Sequence, residues 1–215
     1  MRTDFISFKF YFIALFIAIF SLGFFYFPTN GDPVAGKKTF AVCATCHGQN
    51  GEGIKTLNTP AIASLPAWYV RRQLHNFKSG IRGTNAKDVY GMQMKPMAMT
   101  LTTDKAIDDV AAYIASMPVT KTEATVKGDI NKGKAYYAVC ATCHGPKGAG
   151  NEALGSPQLI GLQDWYLERQ LHNFKSGIRG YDPKDVHGLQ MKPMAMTLPN
   201  DQAIQDVLTY INSLK

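Results

Sequence analysis

A long internal repeat limits the folds that this chain can adopt. Residues 36–118 align with residues 133–215 without a gap, at a constant offset of 97. The eleven residues of segment 73–83 recur unchanged at 170–180. A period this long predicts two similar domains in tandem and not a solenoid of short units. Each unit is small for an independent hydrophobic core, so we expect additional apolar bulk to complete it.

Both repeats carry the sequence Cys-Ala-Thr-Cys-His-Gly near their start. The residues concerned are Cys43, Cys46 and His47 in the first repeat and Cys140, Cys143 and His144 in the second. Two thiols at i and i+3 share one face of a helical turn, where they can add to the two vinyl groups of a haem. The adjacent imidazole can then bind the iron. The sequence therefore predicts two covalently attached haem c groups, with His47 and His144 as axial ligands.

Two other kinds of site also use a Cys-x-x-Cys pair. One is a thioredoxin-like redox pair and the other is half of a zinc site. The α/β pattern of the first is absent, and about 90 residues separate the two cysteine pairs. Haem attachment would use all 4 cysteines and leave none for disulfides. Since this attachment takes place outside the bacterial inner membrane, we expect both domains to be exported.

A methionine-rich segment follows each cysteine pair at the same distance. Met-Lys-Pro-Met-Ala-Met-Thr-Leu occupies 94–101 and again 191–198. A thioether as the sixth ligand raises the reduction potential of a c-type haem. Met92 is excluded because its counterpart is Leu189. The residues alone leave three candidate pairs, which are Met94 with Met191, Met97 with Met194, and Met99 with Met196.

The N-terminus contains an uncharged apolar run at 10–27, preceded by Arg2 and Lys9. No small-x-small cleavage site follows it, because aromatic residues occupy 24–27. The run is at the short end for crossing a bilayer, and Tyr and Phe at both ends suit the headgroup region. We therefore expect residues 1–30 to form a retained transmembrane anchor in the inner membrane, with the haem domains in the periplasm. A cleaved signal peptide is the alternative.

The remaining pattern is typical of an all-α protein. Apolar periodicity predicts helices near 34–45, 67–78 and 103–117, and the second repeat has the same pattern. In the third helix, Ile107, Val110, Ala111 and Ile114 form the stripe that we expect to be buried. The predicted domains are 31–118 and 128–215, joined by a polar linker at 119–127.

Each half resembles a class I cytochrome c domain. In that family the first and last helices pack through small and aromatic residues. The corresponding residues here are Gly36 and Phe40 with Val110 and Tyr113, and Gly133 and Tyr137 with Val207 and Tyr210. Over residues 31–215, the tandem arrangement resembles the dihaem cytochrome c4 family.

The resemblance implies one choice among the methionines. It selects Met94 and Met191, because in the family the ligand precedes a short loop that leads to a leucine, here Leu101 and Leu198. We expect an extended loop residue at this position to reach across the haem face. The resemblance also implies that the carbonyls of Pro60 and Pro157 hold the second ring nitrogen of the histidines.

Charge and composition bear on the partners. The net charge is +7. Residues 31–118 have 10 Lys and Arg against 6 Asp and Glu, and residues 128–215 have 9 against 8. A modest positive charge steers association with acidic redox partners. The basic residues are scattered, so the sequence gives no indication of nucleic-acid binding.

We therefore expect an electron carrier and not an enzyme, with no small-molecule substrate. The expected partners are a quinol–cytochrome c reductase as donor and a terminal haem–copper oxidase as acceptor. An alternative is the cytochrome subunit of a periplasmic dehydrogenase complex. A dihaem peroxidase would need an open iron site, and two equivalent Met-Lys-Pro segments argue against one.

Overall fold

The two sequence repeats form two similar helical domains. The computed structural model describes residues 31–214, and within them every regular element is helical. The only β features in this range are two isolated bridges, Ile54–Thr59 and Asn151–Ser156. The expected all-α class is therefore confirmed. The expected anchor at 1–30 lies outside the described residues, and within 31–214 no helix is long and apolar enough to cross a membrane.

Four α-helices make up each half. The first half contains α1 (Pro33–His47), α2 (Ala67–Lys78), α3 (Val89–Met99) and α4 (Asp104–Ser116). The second half contains α5 (Ile130–His144), α6 (Asp164–Lys175), α7 (Val186–Met196) and α8 (Asp201–Ser213). A short 3₁₀ turn follows the first helix of each half, at Lys55–Leu57 and Glu152–Leu154.

The first and last helices of each half cross in close contact. A Cβ atom on Gly36 would lie 1.9 Å from the carbonyl oxygen of Asp109, so only glycine allows the two backbones to approach this closely. One turn later, the rings of Phe40 and Tyr113 meet edge to face at 5.3 Å. The same crossing joins α5 to α8 around Gly133. The packing that the resemblance implied is thus present in both halves.

A carboxylate in the last helix holds the start of the first helix. Asp109 is buried and accepts a hydrogen bond from the backbone N–H of Asp32 at 2.6 Å. Asp206 does the same for Asp129 at 2.7 Å. A charged residue beside an apolar stripe looks like a surface position, so the sequence carries no signal for this role.

The linker at 119–127 is fixed to the second domain by one buried carboxylate. Asp164 accepts hydrogen bonds from the backbone N–H groups of Thr125 and Val126 at 2.6 and 2.8 Å. The Thr125 hydroxyl and the Asn212 amide also donate to it, at 2.7 and 3.0 Å. Burial opposes ionisation, but these donors outweigh it and lower the pKa of Asp164.

Candidate haem sites

Each domain contains an apolar cavity beside its cysteine pair. The first has a volume of about 360 Å³ and the second about 150 Å³. Cys43, Cys46 and His47 line the first, and Cys140, Cys143 and His144 line the second. Because α1 and α5 end at the two histidines, the cysteines fall in the last helical turn and face the cavity together. None of the four cysteines forms a disulfide.

The two histidines are buried and oriented by a proline carbonyl. His47 and His144 are each 6% exposed. Their Nδ1 atoms lie 2.8 Å from the Pro60 oxygen and 2.7 Å from the Pro157 oxygen, so the contact expected from the sequence is present. Since a carbonyl only accepts, Nδ1 carries the proton and Nε2 keeps its lone pair for a metal. Burial lowers the pKa of both histidines, against the effect of the carbonyl, and so favours the neutral form.

The methionines lie on a helix, and this corrects one expectation. Met94 is in the middle of α3 and not in an extended loop. Because i and i+3 positions share a helix face, both Met94 and Met97 line the first cavity. The reason that we gave for preferring Met94 is therefore wrong, although the residue does reach the cavity.

The structure reduces the three methionine pairs to two. Met99 and Met196 do not line a cavity and are 55% and 60% exposed. In the second domain, Met191 is half-buried whereas Met194 is 40% exposed. A ligand on a buried iron must itself be buried, so the second domain favours Met191 over Met194.

The other histidines occupy different environments. His75 and His172 line neither cavity, and their Nε2 atoms lie 4.0 and 3.9 Å from Asp104 and Asp201. His187 does line the second cavity, and its Nδ1 is buried without a hydrogen-bond partner among the described residues. The counterpart of His187 in the first repeat is Tyr90, so the repeat does not mark this histidine as part of a site common to both domains.

The two cavities meet at the interface between the domains. Four side chains line both of them: Tyr69, Gln73, Tyr166 and Gln170. These four are related in pairs by the offset of 97, as expected for a two-fold relation between repeats. Contacts further along the interface follow the same relation. Arg72 donates to the Gly155 carbonyl at 2.6 Å, and Arg169 donates to the Asn58 carbonyl at 2.9 Å.

Two buried arginines lie in this interface without a carboxylate partner. Arg82 and Arg179 are each 8% exposed, and neither forms an ion pair within residues 31–214. Within its own domain, Arg82 donates to Gln73 at 2.7 Å and Arg179 donates to Gln170 at 2.8 Å. Across the interface, Arg82 donates to Gln170 and Arg179 donates to Gln73, both at 3.2 Å. Burial alone would raise the pKa of Tyr166, but these arginines contribute to lowering it.

These features fit a haem in each cavity. A buried cation is costly unless an anion compensates it, and haem carries two propionates. The Nε atoms of Arg82 and Arg179 also lack a partner in the part of the chain described here. Arg82 lines the first cavity and Arg179 the second, so each is placed to meet an acidic group there.

The cytochrome c family model matches the chain twice, over residues 33–118 and 130–215. Cytochrome c4 of Thiocapsa roseopersicina is 33% identical over 199 residues, which is 87% of this chain and 95% of that protein. The chain belongs to the dihaem cytochrome c4 family. As a member of this family it contains two covalently bound haem c groups, one for each Cys-x-x-Cys-His motif.

Two further similarities extend this cytochrome c4 assignment. The reduced recombinant cytochrome c4 of Pseudomonas stutzeri superposes with a TM-score of 0.68 and 28% identity, covering 86% of this chain and 100% of that one. A thiosulfate dehydrogenase electron acceptor of Stutzerimonas stutzeri (strain A1501) is 32% identical over 78% of this chain and 76% of that protein. Cytochrome c4 proteins are electron-transfer proteins, so the chain is an electron carrier.

Proposed function

We propose that each domain, 31–118 and 128–215, holds a low-spin haem with one histidine and one methionine ligand. The ligands are His47 and Met94 in the first domain and His144 and Met191 in the second, with thioether bonds from the four cysteines. The observation that carries this proposal is the convergence of all three ligand types on one cavity in each domain. The haem iron supplies the one-electron chemistry. The protein fixes the imidazoles through Pro60 and Pro157 and encloses the site in apolar side chains.

With a haem in each cavity, electrons would pass between the domains through the shared interface. Tyr69, Gln73, Tyr166 and Gln170 line both cavities, so only one layer of side chains separates the two sites there. Arg82 and Arg179 donate to Gln170 and Gln73 of this layer, and would bind the acidic substituents of a haem in the cavity that each lines. This arrangement supports transfer within the molecule, in addition to exchange with outside partners.

The mouth of the first cavity is suited to an acidic partner. Val42 lines it and is 50% exposed, and Lys38 lines it beside Val42. The position equivalent to Lys38 in the second domain is Ala135. An apolar contact beside a lysine fits a partner whose docking surface is acidic around an apolar centre. We propose a membrane quinol–cytochrome c reductase as donor and a terminal haem–copper oxidase as acceptor.

A second candidate partner is a dehydrogenase. It is favoured by the similarity to a protein named as the electron acceptor of thiosulfate dehydrogenase. In this case the chain would take electrons from a periplasmic oxidation and would remain in a stable complex with the enzyme. The haem ligands and the electron path would be unchanged.

The expected location is the periplasmic face of the inner membrane, with residues 1–30 as the anchor. The uncharged run at 10–27 supports this proposal. Electrostatic contacts weaken as salt screens them, but a buried apolar span does not.

Purification and kinetics test the function together. We expect the protein to stay with membranes at high salt, to be extracted by detergent without a dehydrogenase, and to carry two haems by mass spectrometry. Stopped-flow mixing should then show its reduction by a quinol–cytochrome c reductase and its oxidation by a haem–copper oxidase. Co-purification with a dehydrogenase that reduces it on addition of substrate would favour the second candidate. Release at high salt with a new N-terminus near residue 30 would contradict the anchor.

A further inference from the structure

Gln163 reaches from the second domain into the first. It is the residue before α6, and its side-chain Oε1 accepts a hydrogen bond from the backbone N–H of Ala61 at 2.8 Å. Its Nε2 donates to the Glu52 carbonyl, also at 2.8 Å. Because an amide nitrogen only donates and an amide oxygen only accepts, these two partners fix the orientation of the Gln163 side chain.

The N–H that Gln163 holds belongs to the same peptide group as the Pro60 carbonyl. That carbonyl accepts from Nδ1 of His47 at 2.8 Å. A continuous chain of hydrogen bonds therefore runs from His47 through the Pro60–Ala61 peptide to Gln163. Hydrogen bonds in such a chain polarise one another. An acceptor on the N–H side increases the negative charge on the carbonyl oxygen, and so strengthens its hold on the histidine proton.

The second domain has no equivalent of this contact. The position 97 residues before Gln163 is Pro66, which has no side-chain acceptor. The peptide equivalent to Pro60–Ala61 is Pro157–Gln158, and no described residue accepts from the Gln158 N–H. The two histidine–carbonyl distances are nearly equal, at 2.8 and 2.7 Å. The two sites thus share the contact between histidine and proline carbonyl. They differ in the next hydrogen bond, which the peptide N–H makes only in the first domain.

Gly53 leaves room for this side chain, although its counterpart Gly150 lies equally close to the Gln158 nitrogen in the second domain. Gly53 has a φ of +79°, and a Cβ atom there would lie 2.5 Å from the Ala61 nitrogen and 2.8 Å from Nε2 of Gln163. A larger residue at this position would push Gln163 away from the peptide. On the other side, the neighbouring Asp164 is fully buried and bonded to the linker, which fixes the start of α6.

We propose that Gln163 is a positioning residue that lowers the reduction potential of the first-domain haem relative to the second. The inference rests on the proposed role of His47 as an iron ligand. A stronger acceptor on Nδ1 gives the imidazole more anionic character, and a more basic ligand stabilises ferric over ferrous iron. The second domain thereby sets the potential of the first through one side chain.

Substitution of Gln163 by methionine tests this inference in the full-length holoprotein. Gln163→Met keeps the side-chain length and removes the acceptor. At a fixed potential we expect the ratio of reduced to oxidised first-domain haem to rise about threefold, which corresponds to about 28 mV for one electron. The second-domain haem should not change. A redox titration followed by NMR of the haem methyl groups resolves the two sites.

The matched control is Tyr181→Phe. It removes another hydrogen bond between the domains, the one between the Tyr181 and Thr84 hydroxyls, and neither of these residues lines a haem cavity. We expect both haem potentials of this variant to remain as in the unmodified protein. Gln163→Asn, whose amide is too short to reach both partners, is the second variant if Gln163→Met does not fold.

Two results would overturn the inference. One is a Gln163 variant in which both haems keep their potentials. The other is a variant in which both potentials shift equally, or shift as in Tyr181→Phe. As an independent readout, the Nδ1 proton of His47 in the reduced protein should move upfield in Gln163→Met as its hydrogen bond weakens. If the unmodified protein lacks a histidine ligand to the first-domain iron, the ligand assignment itself fails, and this outcome is distinct from an unchanged potential.

Discussion

At the scale of single residues, the helix that faces each haem leaves two methionines to choose from. Met94 and Met97 both line the first cavity, and Met191 and Met194 both line the second. The two possible registers are Met94 with Met191 and Met97 with Met194, and the greater burial of Met191 favours the first. Since the two domains repeat without a gap, the same register should hold in the first domain.

Substitution of one methionine at a time distinguishes the two registers. Met94→His and Met191→His should each lower the potential of one haem, because a second imidazole favours ferric iron where a thioether favours ferrous. The sulfur-to-iron charge-transfer absorption of the oxidised protein should fall by about half in each variant, since one of two equivalent ligand sets is changed. Met97→Leu and Met194→Leu should keep the band, because a packing methionine tolerates a swap of similar volume. Loss of the band in the leucine variants alone would place the ligands three residues later in both domains.

Single residues also show what could be predicted from the sequence. The cysteines, the histidines and the two prolines are fixed by a motif and by spacing within one domain, and the structure brings them together as expected. Gln163 and His187 have no such signal. Gln163 acts through a contact between the domains, and His187 has a different residue at the equivalent position of the first repeat. A local sequence pattern reveals neither feature.

At the scale of elements, helix prediction succeeded where the apolar face was clear. Helix α2 was expected at 67–78 and spans Ala67–Lys78, and α4 was expected at 103–117 and spans Asp104–Ser116. Helix α3 was not predicted. Its methionines lie all around the helix and Pro96 interrupts its backbone hydrogen bonding, so it has neither a polar face nor a clean helical signal.

The contact between the linker and Asp164 of α6 can be tested by one substitution. Asp164→Asn removes a buried anion that four donors from the linker and α8 satisfy, and should reduce the free energy of unfolding of the second domain by about 2 kcal/mol. Glu168→Gln, on the same helix and with no hydrogen bond or ion pair in the described region, is the control. Urea unfolding followed by circular dichroism measures both.

The pH dependence of this effect has a definite sign. The folded state lowers the pKa of Asp164, so its contribution to stability is present above the unfolded pKa and is lost as the pH falls through the folded one. The difference between the unmodified protein and Asp164→Asn should therefore be complete at neutral pH and should shrink below about pH 4. An equal difference at pH 3 and pH 7 would show that the charge is not what holds the linker.

At the scale of the whole molecule, two small domains depend on their haem and on each other. An interface built from residues related by the offset of 97 resembles that of a symmetric dimer, with equivalent side chains meeting across it. Each domain thus has two sources of stability beyond its own side chains. One is the prosthetic group in its cavity and the other is the neighbouring repeat.

Loss of one haem should show the relative weight of these two sources. Without its haem, the first domain would lose the apolar contacts made across a cavity of about 360 Å³, and a small domain has only about 5–15 kcal/mol of net stability. Cys43→Ala combined with Cys46→Ala should therefore unfold the first domain, with loss of about half of the helical circular dichroism. Mass spectrometry should find one haem, and the visible spectrum should be that of the second site alone. The second domain should also melt earlier than in the unmodified protein, because Arg179 and Gln170 lose their partners Gln73 and Arg82. A variant with one haem and undiminished helix content would mean that the interface alone can hold the first domain folded.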